Sequence, residues 1–393
     1  MRTLRAIVVA ALLATAPALA QVRFSTLYSF SNGYPAGLSL INGALYGVGP
    51  GGQCGAVFEL NPPQAGGDGW AETVLYTFAG TGDACSPVGG PILGPSGALY
   101  GLSAVGGASD AGALYGLQPP ASPGGGWTET VSYSFPPPSD TPGGPPIGPL
   151  VVGPDGSFYL LTAPGDGLVQ LVPPAEPGAS WNGVQLFTPT IFMAGSALIA
   201  GPGGTFYGAS EWGGTGEEYG YVFQLAPPSE PGGVWTCTVI HGFAASNDGV
   251  GNPYALTLNG DGTIYGAAFG SSPNGGDGEG AIFSLTPPKS PGGTWSYATL
   301  YDFGPAHPDT APVPHNGKLY GALVTAEAGA VFELQPPTAP GGVWTLTYLH
   351  RFTGGPAPFG QLIVNKDGTI YGYTGTVFGG TPSSGTVFKI STQ

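Results

Sequence analysis

Residues Pro227–Trp235 read PPSEPGGVW, and the same frame recurs five more times, beginning at Pro62, Pro119, Pro173, Pro287 and Pro336 and reaching Trp70, Trp127, Trp181, Trp295 and Trp344. In all six copies the second proline and the tryptophan are seven residues apart. This one connection therefore tolerates no insertion, while the rest of the repeat varies in length. The repeated unit spans 48 to 60 residues, measured between these tryptophans or between the tyrosines named below. A unit of that size, repeated from end to end, points to a closed array of small sheets and not to a layered domain.

Within a unit four apolar stretches recur, in the second unit at 90–93, 98–102, 113–117 and 127–135. Each is short, bounded by Gly, Pro, Asp or Asn, and rich in β-formers. No stretch carries apolar residues at i, i+3, i+4 and i+7 for three turns, so helices have little support. Four strands per repeat is the blade pattern of a β-propeller. The second strand carries a Tyr-Gly pair at Tyr46, Tyr100, Tyr207, Tyr265, Tyr320 and Tyr371, and Leu160 replaces the glycine after Tyr159, which makes seven. The third follows GxVFxL, with Phe58, Phe223, Phe283, Phe332 and Phe388 at one position, Tyr115 there in the second unit, and no aromatic in the third. The fourth ends in Phe78, Phe135, Phe187, Phe243, Phe303 or Phe352.

The two ends complement each other. Residues 22–30, VRFSTLYSF, are a fourth strand with no first three before it, and 361–390 supply three strands with no fourth after them. Pairing the two removes both free edges. The expectation is an all-β, seven-bladed β-propeller with four antiparallel strands per blade, closed by the N-terminal strand. Asp155-Gly156, Asp261-Gly262, Asp367-Gly368, Asn42-Gly43 and Asn316-Gly317 fall between first and second strands and read as hairpin turns. A calcium role for the three aspartates lacks the EF-hand or RTX spacing that would support it.

Residues 1–20, with Arg2 and Arg5, an apolar run from Ala6 to Leu13 and Ala18-Leu19-Ala20 before Gln21, read as a secretory signal, and 21–393 as one domain. That stretch is too short to span a bilayer, and no later one is long and apolar enough to cross. Removing Arg2 and Arg5 leaves six of eight basic side chains against 23 acidic ones, a formal charge of −17. Such a surface repels phosphates and argues against nucleic acid or anionic lipid as partners.

The pattern of LYG, then GG, then GTVFxL, fullest in residues 370–390 (IYGYTGTVFGGTPSSGTVFKI), resembles the GloVer-type tandem repeats of secreted bacterial proteins. The resemblance covers essentially the whole mature chain and carries no catalytic residues with it. It implies a secreted or periplasmic bacterial protein. Relatives often end in a sorting or anchoring segment, whereas this sequence stops three residues after Ile390, which favours free secretion or the periplasm.

In a propeller the loops joining second to third strands open on the same face as the blade-to-blade connections. In this sequence that set varies while the Pro-Pro to Trp set is fixed, so the variable face is the expected binding surface. Trp212 is the one tryptophan outside the repeated position, with Glu211, Glu217, Glu218 and Tyr219 around it, and an indole beside carboxylates suits a sugar ring or a cation. A tryptophan folded over its own blade is the competing reading. Asn247 and Asp248, with Asp277 and Glu279, offer oxygen ligands for calcium between the fourth and fifth blades, although glycine-rich acidic loops are also plain soluble turns. Apart from that calcium no cofactor is expected. Asp83, Asp140, Asp166, His307 and Asp309 lie on the same set of loops. His241 and His350 stand where other units have Tyr76 and Tyr301, which reads as packing.

GxSxG, phosphate-loop and CxxC signatures are absent. Cys54 and Cys85 should share a face and pair in an oxidising compartment, with Cys237 left as a buried small hydrophobe. The expected function is an exported, monomeric, non-enzymatic binding or scaffold module for a carbohydrate or extracellular protein. The alternative is a glycosidase or polysaccharide lyase with its site at the mouth of the central channel.

Overall fold

The computed structural model describes residues 22–63, 69–80, 82–94, 97–122, 124–137, 144–162, 167–176, 179–188, 197–211, 218–230, 232–244, 250–269, 280–290, 292–304, 306–325, 329–339, 341–353, 355–375 and 384–392. These form seven antiparallel sheets in a ring. Blade 1 runs Gly37–Ile41, Ala44–Gly49, Ala56–Asn61 and Ala71–Thr77, hydrogen-bonded in that order. The first strands of blades 2 to 5 are Ala84–Leu93, Pro146–Val152, Ala197–Ala200 and Pro253–Leu258. In blade 6 the first strand is interrupted, and His307–Pro308 and Val313–His315 both pair with Lys318–Val324. Blade 7 contributes Ala357–Val364, Ile370–Gly375 and Thr386–Thr392, and its outer strand is Val22–Ser29.

The closing ladder pairs Val22 with Thr392, Phe24 with Ile390 and Ser29 with Thr386. Beyond it the Phe30 N–H donates to Gly385 O at 2.9 Å, and the Gly385 N–H to Gly33 O at 2.8 Å. The ring is thus sealed by the first described segment of the chain, as the unmatched ends imply.

The core lies between blades. Each of seven buried clusters joins two neighbours; the one between blades 7 and 1, for example, combines Phe30, Tyr371, Tyr373 and Val387 with Leu45, Phe58 and Leu60. A single blade has no interior of its own, so stability depends on the whole ring.

The Tyr-Gly motif follows from this packing. Cross-strand partners are Gly47 and Phe58, Gly208 and Phe223, Gly266 and Phe283, Gly321 and Phe332, and Gly372 and Phe388. The distal end of each ring occupies the space that a side chain at its glycine would need. A Cβ at Gly266 would sit 2.5 and 2.7 Å from two ring carbons of Phe283 and nearer still to its Cζ. The outer-strand aromatic of the preceding blade closes on the same ring, as in Phe243–Phe283 at 5.1 Å, Phe303–Phe332 at 5.0 Å and Phe30–Phe58 at 5.2 Å. In blade 3 the pair is Leu160 and Val169. The missing glycine and the missing aromatic are one exchange, a side chain moved from the third strand to the second.

The fixed connection has a similar cause. Gly233 N–H bonds Glu230 O at 3.0 Å while Gly232 takes φ 79°, the positive angle that the third position of a type II turn requires. A Cβ at Gly233 would meet Pro228 at 2.7 Å. The turn delivers a tryptophan to a tyrosine of the preceding blade at three seams, Trp70 to Tyr371 at 6.2 Å, Trp181 to Tyr100 at 5.2 Å and Trp295 to Tyr207 at 5.6 Å. One extra residue would carry the indole past its partner.

Every third–fourth strand ladder outside blade 7, and the closing ladder within it, shifts register near the middle of the outer strand. A bulge at that place twists the exposed edge away from a straight template and guards the rim against added strands.

The first strand of blade 2 begins at Ala84, six residues before the sequence suggests. Its register shifts between Val88 and Ile92 around Gly89, at φ 69°, so a segment rich in Pro and Gly still pairs. Pro87 and Pro91 are tolerated because this strand's other edge faces the channel and has no ladder to lose. Cys85 accordingly lies in a strand, bonded to Cys54 with the Cα atoms 4.5 Å apart. Alkylation of the denatured, unreduced protein is expected to label one thiol, Cys237; labelling of three would show that the bridge does not form.

Candidate binding site at the channel mouth

Antiparallel order puts second–third loops and blade-to-blade connections on one face and the Pro-Pro to Trp turns on the other. On the variable face a line of residues runs around the mouth from blade 4 to blade 1. Asn252 N–H donates to Tyr219 O at 2.6 Å, and Phe269 N–H to Asn252 O at 3.3 Å. Phe269 stacks on Tyr254 at 4.2 Å and meets His307 edge-on at 5.2 Å. Across the mouth Tyr373 packs on Phe359 at 5.1 Å, and Phe359 on Tyr34 at 5.9 Å.

Two of the polar side chains here tie blades together. Tyr254 Oη donates to Pro308 O, joining blades 5 and 6. Asp309 Oδ2 accepts the Gly360 N–H at 2.6 Å, joining blades 6 and 7. Gly360 can offer its amide because it takes φ 73° in a bulge of the first strand. Burial pushes the Asp309 carboxyl up, partly offset by that hydrogen bond and by His307. Burial also raises the Tyr254 phenol, helped by the fields of Asp309 and Glu211.

Below the mouth the channel opens into a cavity of about 670 Å³ between blades 3, 4, 5 and 7. Its walls are largely aliphatic, including Leu150, Val152, Ile199 and Leu256. Thr257 and Gln361 add polar side chains, and Gln361 Nε2 donates to Ala311 O at 3.3 Å. No carboxylate lines the described wall.

Of the residues singled out in the sequence, Glu211 and Tyr219 are half-buried beside this line of residues. Trp212, Glu217, Asn247, Asp248, Asp277 and Glu279 lie outside the described residues, as do Asp140 and Asp166; Glu218 opens the third strand of blade 4, its side chain outside the description. Among the described residues no three acidic, histidine or cysteine side chains gather as a metal site. Asp83 is 6% exposed and turned inward, accepting N–H groups of Ala79 at 2.8 Å and Ala84 at 2.7 Å. The turn aspartates are engaged too: Asp155, Asp261 and Asp367 accept the N–H of Ser157, Thr263 and Thr369 at 3.1, 2.9 and 2.9 Å. His241 stacks on Tyr297 at 4.4 Å and His350 on Phe24 at 3.7 Å, so both histidines pack between blades. Tyr254, Gly360 and Gln361 were not visible as site residues, because their partners are 50 or more positions away in sequence.

Seven four-stranded sheets closed around a lined channel, with variable loops at one mouth, define a β-propeller built from tandem repeats. The model of the Gloeobacter/Verrucomicrobia repeat matches residues 194–393, and the chain belongs to that family. Comparison with curated proteins finds no match. Solved structures of similar shape include the PQQ-bound aldose sugar dehydrogenase of Streptomyces coelicolor, 14% identical over 95% of this chain and 99% of that one, TM-score 0.45. Another is the α-L-arabinanase of Cellvibrio cellulosa complexed with arabinohexaose, 15% identical over 65% and 94%, TM-score 0.33. Prolyl oligopeptidase B of Galerina marginata is 12% identical over 90% of this chain and 47% of its own length, TM-score 0.48. These likenesses carry no statement about activity.

Proposed function

We propose that this chain is an exported binding module that holds a carbohydrate or another extracellular molecule at the variable face without turning it over. The observation that supports this most is the mouth itself. Its Tyr254 hydroxyl and Asp309 carboxyl are engaged in joining blades, and the cavity beneath offers apolar walls with a few amide and hydroxyl groups, the usual make-up of a preformed ligand pocket. Glycoside cleavage needs two carboxylates about 5–10 Å apart with free lone pairs.

Export rests on the pattern of residues 1–20 and is tested by N-terminal sequencing of the secreted protein, expected to begin at Gln21. Binding is tested by glycan-array and pull-down screening of the mature chain, repeated with Trp212→Ala and Gln361→Ala. Specific retention lost in either variant is the expected result; no ligand, or retention indifferent to both changes, would count against the reading. One observation favours the enzyme alternative, namely that Asp309 and Glu211 both bear on Tyr254. Oligosaccharide turnover abolished by Asp309→Asn or Glu211→Gln would replace the binding module with a hydrolase or lyase.

A further inference from the structure

The repeat supplies its own control for a seam that differs from the others. At one level of three outer strands, Tyr28, Tyr76 and Tyr133 reach toward the start of the next blade's outer strand, where Glu72, Glu129 and Gly183 stand. Between blades 7 and 1 the arrangement is simple, with Tyr28 Oη donating to Glu72 Oε2. Between blades 2 and 3 the acid is replaced, and the Tyr133 hydroxyl fills the space where a Gly183 side chain would be.

Between blades 1 and 2 the donor has been diverted. Tyr76 Oη points to Asp83 Oδ2 at 3.1 Å. The half-buried Glu129 is left with a buried Oε1 that has no hydrogen-bond partner, and the Asp83 carboxyl bears on it. Asp83 is held in place by two backbone N–H groups and cannot turn away. The Asp83 carboxylate already accepts from Ala79, Ala84 and Tyr76, whereas the buried Glu129 oxygen has no donor beside that fixed charge, a setting that favours the protonated acid.

No fixed cation can take its place. The sequence has no Lys or Arg between Arg23 and Lys289, so blades 1 to 4 carry none at all. The groups bearing on Glu129 are Asp83 from the connection and Tyr76 from the outer strand of blade 1. The same seam is crossed by the Cys54–Cys85 bond and by the Ser86 N–H donating to Cys54 O at 2.9 Å.

We infer that Glu129 keeps a proton toward Asp83 across the seam between blades 1 and 2, making it a joint that is held in acid and loosened as the medium becomes neutral. The direction follows from linkage. Burial and the neighbouring Asp83 push the Glu129 carboxyl up from 4.5 to about 7. Between those values the folded chain keeps a proton that the unfolded chain has lost, so stability falls as pH rises through this window and is fullest below it. The disulfide crosses the joint that the proton abandons, and keeps blades 1 and 2 together where the carboxylates repel.

The test uses the mature chain and Glu129→Gln, which supplies an amide donor to Asp83 at every pH. Thermal unfolding is followed from pH 4.5 to 8. The wild type should lose stability across the window with a slope of about one proton in excess of the variant, whose curve is flatter and lies above it near pH 8. Infrared titration of the wild type gives a second readout that does not depend on the variant folding. A protonated carboxyl stretch should persist at pH 6 and disappear above pH 7. Parallel unfolding curves for the two proteins, or complete ionisation of all carboxyls by pH 6, would overturn the inference.

Discussion

Gly266→Leu is expected to destabilise the protein by about 3 kcal/mol or more, the upper range of overpacking, because its side chain would have to occupy the volume of the fully buried Phe283 ring. Backbone strain is not the cause, since Gly266 lies in a regular strand directly opposite Phe283. Phe283→Val alone should cost about 3 kcal/mol for the cavity it leaves. The double variant should be less destabilised than the sum by about 2 kcal/mol or more, since each change makes room for, or fills, what the other disturbs. Blade 3 already carries this arrangement as Leu160 opposite Val169. Denaturant unfolding of the wild type, both single variants and the double variant measures the coupling. Additive effects would show that the ring-over-glycine contact does not govern the motif.

Deleting residues 22–30 is expected to abolish cooperative folding. The segment places Phe30, 5% exposed, against Phe58 at 5.2 Å, and Phe24 against His350 at 3.7 Å and Phe388 at 5.7 Å. With Leu27 and Tyr28 these are four large apolar side chains, one fully and three partly buried, worth up to about 1.5–3 kcal/mol each. Their sum is comparable to the whole stability of a typical domain, about 5–15 kcal/mol. The deletion also bares the ladder edge of Thr386–Thr392. Light scattering should report association through that edge, and a synthetic peptide of residues 22–30 added during refolding should restore a monodisperse ring. A truncated chain that unfolds as sharply as the intact one would show that closure contributes little.

Much of this architecture could be read from the sequence because it is periodic. The Tyr-Gly pairs, the aromatic of the third strand and the invariant Pro-Pro to Trp spacing each reflect a contact that every seam repeats, and the unmatched ends left one way to close the ring. What stayed hidden was pairwise. Leu160 and the lost aromatic at Val169 look like two separate departures until the register places them opposite each other. Pro87, Gly89 and Gly90 mask a strand because their pairing depends on a bulge that local propensity does not announce. The ties of Tyr254 to Pro308 and of Asp309 to Gly360 span 54 and 51 positions and have no motif. The acidic loops singled out around Trp212, Asp248 and Asp277 are rich in glycine, and sequence alone sets no geometry for such segments.

Val22 and Thr392 are partners in the closing ladder, so both ends of the described chain meet side by side at the rim. They emerge where outer strands begin, on the side of the tryptophan turns and opposite the variable loops. A bead, dye or carrier coupled at either end would therefore leave the channel mouth unobstructed, and a surface coated through that point would present every molecule in the same orientation.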